Sequence, residues 1–485
     1  MVVTISPPLT SSSCSTSSDK YDSNAEWELL DREPLKDSSL SSMEAHELKD
    51  APIITRGAFL RCGSSTSTQY GVLGRVVACH FKKDVHTFSD SRIYLNTNAP
   101  MSTLVCGVQG SGKSHTVSVI LENMFISSSS LGTLSKPLSG LVLHFGEGGA
   151  GSGPCEAAWV GVSNHPSIKA PQVKVYVSKS SLNTMKGIYA PLTQRGNVTV
   201  EALSFDESEL DAQAFLSLMA VGSSDNAPLY IQIILSILRE LGESFSYQAF
   251  MTALELKKKT FNPAQLSGLE QRLALLTSFM AGKKTKKLKA LTERKRRFAP
   301  GQLTIVDLSD PFIDPASACG LFEVLTRLFV RAEVNTGKVL VIDEAHKYLS
   351  SNNHPSGFTK ALLSLTRQQR HLAMRVIIST QEPTVVNPVL LDLCTVTILH
   401  RFSSPAWWQH LEKHVPADFS DNDAFDKVVR LQTGEAIVLA PSGLATFPSP
   451  ANGEHNVGQI GRRYLILKTR KRVTIDGGAS IRVID

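Results

Sequence analysis

From residue 103 to 121 the chain reads Thr-Leu-Val-Cys-Gly107-Val108-Gln109-Gly110-Ser111-Gly112-Lys113-Ser114-His115-Thr-Val-Ser-Val-Ile-Leu. An apolar strand runs into a glycine-rich turn and then into a helix, and the turn matches G-x-x-x-x-G-K-[ST], the phosphate-cradling P-loop. Glycines let successive backbone N–H groups converge on an anion without interference from Cβ atoms. The helix that starts near Lys113 aims the positive end of its dipole at the same point. Residues Gly107 through His115 are therefore the expected phosphate-binding set. Lys113 is expected to reach the β/γ oxygens of ATP, and the Ser114 hydroxyl to ligate Mg²⁺.

Two further stretches supply the rest of a nucleotide site. Lys338-Val-Leu-Val-Ile-Asp343-Glu344-Ala-His has the form of a Walker B segment. Asp343, ending a buried strand, would hold the magnesium, and Glu344 would orient or deprotonate the attacking water. Ser379-Thr-Gln381-Glu-Pro383 ends another apolar strand in an amide suited to sensing a γ-phosphate. Arg367, Arg370, Arg375 and Arg401 lie around this strand, and Arg370 is the choice for stabilising charge on the transferring phosphoryl group. Asp343-Glu-Ala-His also spells a helicase box, but no Ser-Ala-Thr motif accompanies it.

Positioning these groups requires strands whose carboxyl ends meet. Apolar runs at 141–145, 173–177, 198–203, 303–308, 339–344, 376–381 and 396–402 alternate with helical patterns. That pattern predicts an α/β fold with a mostly parallel sheet covered by helices on both faces, and ligands beyond the strand ends. Residues 435–439 and 464–468 read as edge strands. Between 207 and 298 the apolar spacing turns helical, which predicts an inserted helical lobe of three or four helices.

The 485 residues, 42% hydrophobic and 19% charged with a net charge of +6, suit a soluble globular protein and permit an anionic partner. Seven scattered cysteines show no zinc-type spacing and suggest a reducing interior. With no signal peptide and no run of 18 apolar residues, an intracellular location, cytoplasmic or nuclear, is expected and no membrane partner. Residues 1–52, rich in serine and acidic side chains, predict a disordered tail with a possible short helix at 24–30. Residues 53–90 read as a short β segment, and 91–485 as the nucleotide domain. Nine of the fifteen residues from Lys283 to Arg297 are Lys or Arg. That cluster suits a solvated loop, contact with nucleic-acid phosphates or nuclear import.

In their order, Gly107–Ser114, Asp343-Glu344-Ala-His, Arg370-His, Ile-Ile-Ser-Thr-Gln381-Glu-Pro and Leu-Gln-Thr-Gly434-Glu-Ala-Ile-Val resemble the HerA/FtsK branch of the additional-strand RecA-like P-loop ATPases, especially the HerA-type helicase core. The resemblance spans roughly residues 91–475. It implies a RecA-like fold, Mg-dependent ATP hydrolysis, a homo-hexameric ring and translocation of double-stranded DNA, with Gln381 as sensor and Arg370 as a charge-stabilising arginine. Met101 stands where that family commonly has a basic residue, and Leu143 where it has an acid. The rival reading is a nucleotide-switched interaction ATPase that does not act on DNA; a third is a binder that holds ATP without cleaving it.

Overall fold

Every residue of the strand that leads into the P-loop, Met101–Cys106, is buried. Its alternate side chains serve opposite faces: Leu104 and Cys106 join one hydrophobic core, Met101 and Val105 the other. The same split separates Leu141 and Leu143 from Val142, and Val376 and Ile378 from Ile377. A strand with apolar side chains on both sides needs a cover on both sides, which is why these runs are continuous rather than alternating.

The computed structural model describes residues 49–62, 68–149, 151–219, 229–258, 261–280, 297–349, 356–415, 423–448 and 455–478. The expected tail up to residue 48, including the helix at 24–30, and the basic cluster up to residue 296 lie outside the described residues. The strands are β1 (Ile53–Thr55), β2 (Tyr70–Phe81), β3 (Asp84–His86), β4 (Arg92–Asn96), β5 (Met101–Cys106), β6 (Gly132–Thr133), β7 (Ser139–His144), β8 (Gln172–Val177), β9 (Val198–Ala202), β10 (Gln302–Asp307), β11 (Lys338–Ile342), β12 (Met374–Thr380), β13 (Val396–Leu399), β14 (Glu435–Leu439), β15 (Leu444–Pro448), β16 (His455–Gln459) and β17 (Tyr464–Thr469). They hydrogen-bond in the order β9–β8–β10–β7–β11–β12–β5–β13, every neighbouring pair parallel. One strand, β12, therefore separates the P-loop strand β5 from β11. This is the RecA-like arrangement with an added strand, an α/β fold with helices on both faces.

Beyond β13 the sheet turns antiparallel through β14, β17, β2, β4 and β1. The expectation of edge strands at 435–439 and 464–468 is corrected here. β14 and β17 are interior because the twelve-residue β2 pairs with β17 on its far side. Strands from residues 53–90 are thus hydrogen-bonded into the same sheet.

On one face, helices Ala212–Met219, Leu229–Leu241, Tyr247–Lys257 and Pro263–Phe279 gather with Pro315–Arg331 and Gly357–Gln368 around one core. Phe215 and Phe250 are fully buried in it, their ring centroids 4.2 Å apart. On the other face pack the P-loop helix Lys113–Phe125, the 3₁₀ turn Glu156–Gly161 and the helices Leu182–Ile188 and Ala190–Arg195. Among the described residues no helix is long and apolar enough to cross a membrane.

Candidate nucleotide site

The turn after β5 depends on glycine at both ends. Gly107 has φ +153°, and a Cβ there would lie 2.7 Å from the Cβ of His400. Gly112 has φ +112°, and a Cβ there would meet the Gly434 nitrogen at 2.9 Å. The turn is thus pressed against β13 and the approach to β14, with Val108 N–H donating to the Arg401 carbonyl at 3.0 Å and Gly434 N–H to that of Ser111 at 3.0 Å. The Lys113 ammonium donates to the Val108 carbonyl at 3.1 Å. Burial lowers its pKa, opposed by the charge of Glu344, the Cys106 thiol and Asp343. Lys113 is therefore a cation held in a low-dielectric turn next to two carboxylates.

At the end of β11, Asp343 is 8% exposed and accepts from Nδ1 of His144, at the end of β7, at 2.9 Å. Burial works against its charge, but the hydrogen bond and charge of His144 outweigh it and hold Asp343 below the usual carboxylate range. Burial works against the charge of His144 too, but the neighbouring Cys155 and Asp307, and then the hydrogen bond to Asp343, hold it well above the ordinary imidazole value. Glu344 follows in the left-handed region, at φ 51° and ψ 41°. A non-glycine residue there is uncommon and, at a chain reversal bearing a carboxylate, points to function. Gln381, just past β12, donates from Nε2 to Glu344 Oε2 at 2.9 Å. His346 Nε2 stands 3.4 Å from the same oxygen.

These groups line one cleft of about 820 Å³, together with Gln109, Gly110, Ser114 and His115. Gly107, Val108 and Ser111 form the back of the turn. The donor set fits a nucleoside triphosphate with magnesium: main-chain N–H groups and an ammonium for the phosphates, a hydroxyl and a carboxylate for a hard cation. The structure does not bring Arg370 to this cleft. It lines a separate depression with Asp50, Pro100 and Thr395. The seven-residue β12 lies between Arg370 and Gln381, and a strand of that length spans about 20 Å. Within one chain the expected charge-stabilising role of Arg370 is therefore corrected. Arg401, at the other end of the sheet, is the arginine of the four that adjoins the P-loop.

Several residues escaped the sequence reading because they are distant in the chain. His400 is fully buried, with burial lowering its pKa to about 4. It bridges Glu435 O at 2.9 Å and Thr116 Oγ1 at 3.0 Å, so Nδ1 donates to the carbonyl and the neutral ring accepts at Nε2. Glu122, fully buried in the P-loop helix, accepts from Arg470 Nη1 at 2.6 Å and from the N–H groups of Val473 and Thr474 at 3.0 and 2.9 Å. That carboxylate ties the segment after β17 across the helix, where Asp476 meets His115 Nδ1 at 3.1 Å and Arg470 and Lys471 line the cleft. Unlike Lys113, none of these positions carries a spaced motif.

No family model and no curated protein matches the chain. Among solved structures it is similar to VirB4 of Thermoanaerobacter pseudethanolicus, at 12% identity and TM-score 0.45, over 84% of this chain and 98% of that one. It is also similar to the bacterial conjugative coupling protein TrwB, at 11% identity and TM-score 0.42, over 83% and 95%. A shorter match is the genome packaging NTPase B204 from Sulfolobus turreted icosahedral virus 2 in complex with ATP-gammaS, at 18% identity and TM-score 0.23, over 33% and 67%. By its own strand order and the placement of its motifs, this chain has a RecA-like P-loop fold with an added strand.

Proposed function

We propose that this chain binds Mg·ATP in the cleft and hydrolyses it. The observation that carries the reading is the convergence of three adjacent strands. β5 delivers Lys113 and Ser114, β11 delivers Asp343 and Glu344, and β12 delivers Gln381, hydrogen-bonded to Glu344 at 2.9 Å. Lys113 and the amides of the turn neutralise phosphate charge. Ser114 and Asp343 would hold magnesium, which supplies further charge neutralisation on the phosphate oxygens when bound. Glu344 accepts the proton of the attacking water, and Gln381 keeps its carboxylate facing the cleft. A phosphate that draws the Gln381 amide towards itself would loosen Glu344, coupling the sensor to the base.

As the polymer acted on, we favour double-stranded DNA, moved by a homo-hexameric ring. Support comes from the family resemblance and from the basic cluster 283–297. Arg297 does not belong to a DNA-facing set: it pairs with Glu209 Oε1 at 2.6 Å and donates to the Ser204 carbonyl at 2.7 Å. The phosphate contacts are assigned to residues 283–296. Steady-state ATP turnover with and without duplex DNA at low salt tests both levels. Magnesium-dependent turnover that duplex DNA raises several-fold, with the stimulation lost as salt rises, is the expected result. Turnover that DNA leaves unchanged would favour the nucleotide-switched interaction ATPase, and its absence would remove the hydrolase reading.

A further inference from the structure

We propose that His144, Cys155 and Asp343 form a three-ligand site for Zn²⁺ at the floor of the nucleotide cleft. The three side chains come from the end of β7, the residue before the 3₁₀ turn Glu156–Gly161, and the residue after β11. One donor atom from each lies within 4.8 Å of the other two. Asp343 Oδ2 is 2.9 Å from His144 Nδ1 and 3.8 Å from Cys155 Sγ. Tetrahedral zinc with bonds of about 2.0–2.3 Å sets its nitrogen, oxygen and sulfur ligands roughly 3.3–3.6 Å apart. Rotamer adjustments of well under an ångström would bring the first two separations into that range.

The donor set selects the metal. Magnesium and calcium take oxygen ligands, whereas a thiolate, an imidazole and one carboxylate suit zinc, with the fourth position left to water from the cleft. A simpler role for the cluster would be to orient Asp343 by hydrogen bonds. His144 alone does that, and a thiol is a weak donor for the task. Cys155 also differs from the two other cysteines for which a thiol hydrogen bond is seen: Cys319 donates to the Tyr348 carbonyl, and Cys394 to that of Leu390. Cys155 alone of the three faces two metal-ligating side chains. Its backbone is fixed from behind, N–H to the Tyr189 hydroxyl at 3.0 Å and that hydroxyl to Asp307 Oδ2 at 2.7 Å. Such buttressing orients a ligand. His144 and Asp343 line the cleft, which gives the ion its entry path.

On binding, the sulfur–zinc bond replaces the Cys155 S–H and the nitrogen–zinc bond replaces the His144 Nδ1–H. Both protons pass to solvent, leaving a neutral imidazole protonated at Nε2. Asp343 then serves zinc in place of magnesium. This last consequence rests on the proposed ATP reading, whereas the metal site itself does not.

The test is titration of the chelator-treated full chain with Co²⁺, without nucleotide. A sulfur-to-cobalt charge-transfer band with tetrahedral visible bands, saturating at one equivalent and displaced by Zn²⁺, is expected. Cys155→Ala and His144→Ala should abolish the band, whereas Cys394→Ser should keep it. Absence of the band in the wild type, or its persistence in folded Cys155→Ala, overturns the site. Mg·ATP should fade the band; a band that Mg·ATP leaves untouched keeps the zinc site and overturns the shared use of Asp343.

Discussion

At its N-terminal end β12 presents Arg375, 3% exposed, whose guanidinium donates to the carbonyls of Ala373 at 2.8 Å and Thr97 at 3.1 Å and also to that of Asn98. At the other end it delivers Gln381 to Glu344, beside a buried aspartate, imidazole and lysine that open on a cleft. Both ends bury charge. The first ties its cation to fixed carbonyls through both terminal nitrogens and closes off, with burial lowering the Arg375 pKa to about 10. The second satisfies its groups with titratable partners that a ligand can replace. Burial of a charged side chain therefore accompanies a structural tie at one end of the strand and the candidate site at the other. What separates them is whether the partners can exchange.

Substitutions at the two ends should differ in kind. Glu344→Gln should lower ATP turnover by about 10²–10⁴-fold, the usual range for losing a general base, while leaving nucleotide affinity within a few-fold. Single-turnover hydrolysis beside equilibrium binding reads both, and unchanged turnover would restore the reading of a binder that does not cleave. Arg375→Met at the opposite end should do the reverse. It should cost about 3 kcal/mol in denaturant unfolding by leaving carbonyls unpartnered, with turnover per folded molecule unaltered.

A third measurement probes His400, which packs against the P-loop. Its folded pKa, about 4 through burial, lies below an unfolded value of 6.5. The unfolded chain therefore takes up a proton first as pH falls. The contribution of His400 is complete above pH 6.5 and declines through the window down to 4, on the order of 3 kcal/mol in all. Unfolding free energies compared between wild type and His400→Gln across that window should converge as pH drops. The smallest effect belongs to Arg370→Ala, on the exposed rim near Arg375: nucleotide affinity and melting temperature should stay within error of wild type. A loss of turnover there with binding intact would place Arg370 against a neighbouring subunit's phosphates.

Local spacing made the P-loop, the Asp343–Glu344 pair and the strand ending in Gln381 visible, because each is a run of adjacent residues with a chemical reason for its pattern. Continuous apolar strands likewise gave the parallel sheet. What spacing could not show is adjacency created by strand order. His144 meets Asp343 across 199 positions, and Arg470 meets Glu122 across 348. Neither pair has a sequence signature. Arg370 misled for the converse reason: it is near Gln381 in sequence, but an extended strand sets them at opposite ends. β14 and β17 looked like edges because their partner, β2, is far upstream.

On the proposed reading, the turn at 107–114 and the acids at 343–344 grip one triphosphate with its magnesium. Equilibrium binding of the non-hydrolysable analogue AMPPCP to wild type and Lys113→Ala, with and without Mg²⁺, tests it most directly. Removing one buried charge-assisted contact should weaken magnesium-dependent binding by roughly 100-fold or more. Equal affinity in the two proteins, or binding indifferent to magnesium, would mean that no Mg·ATP site lies there.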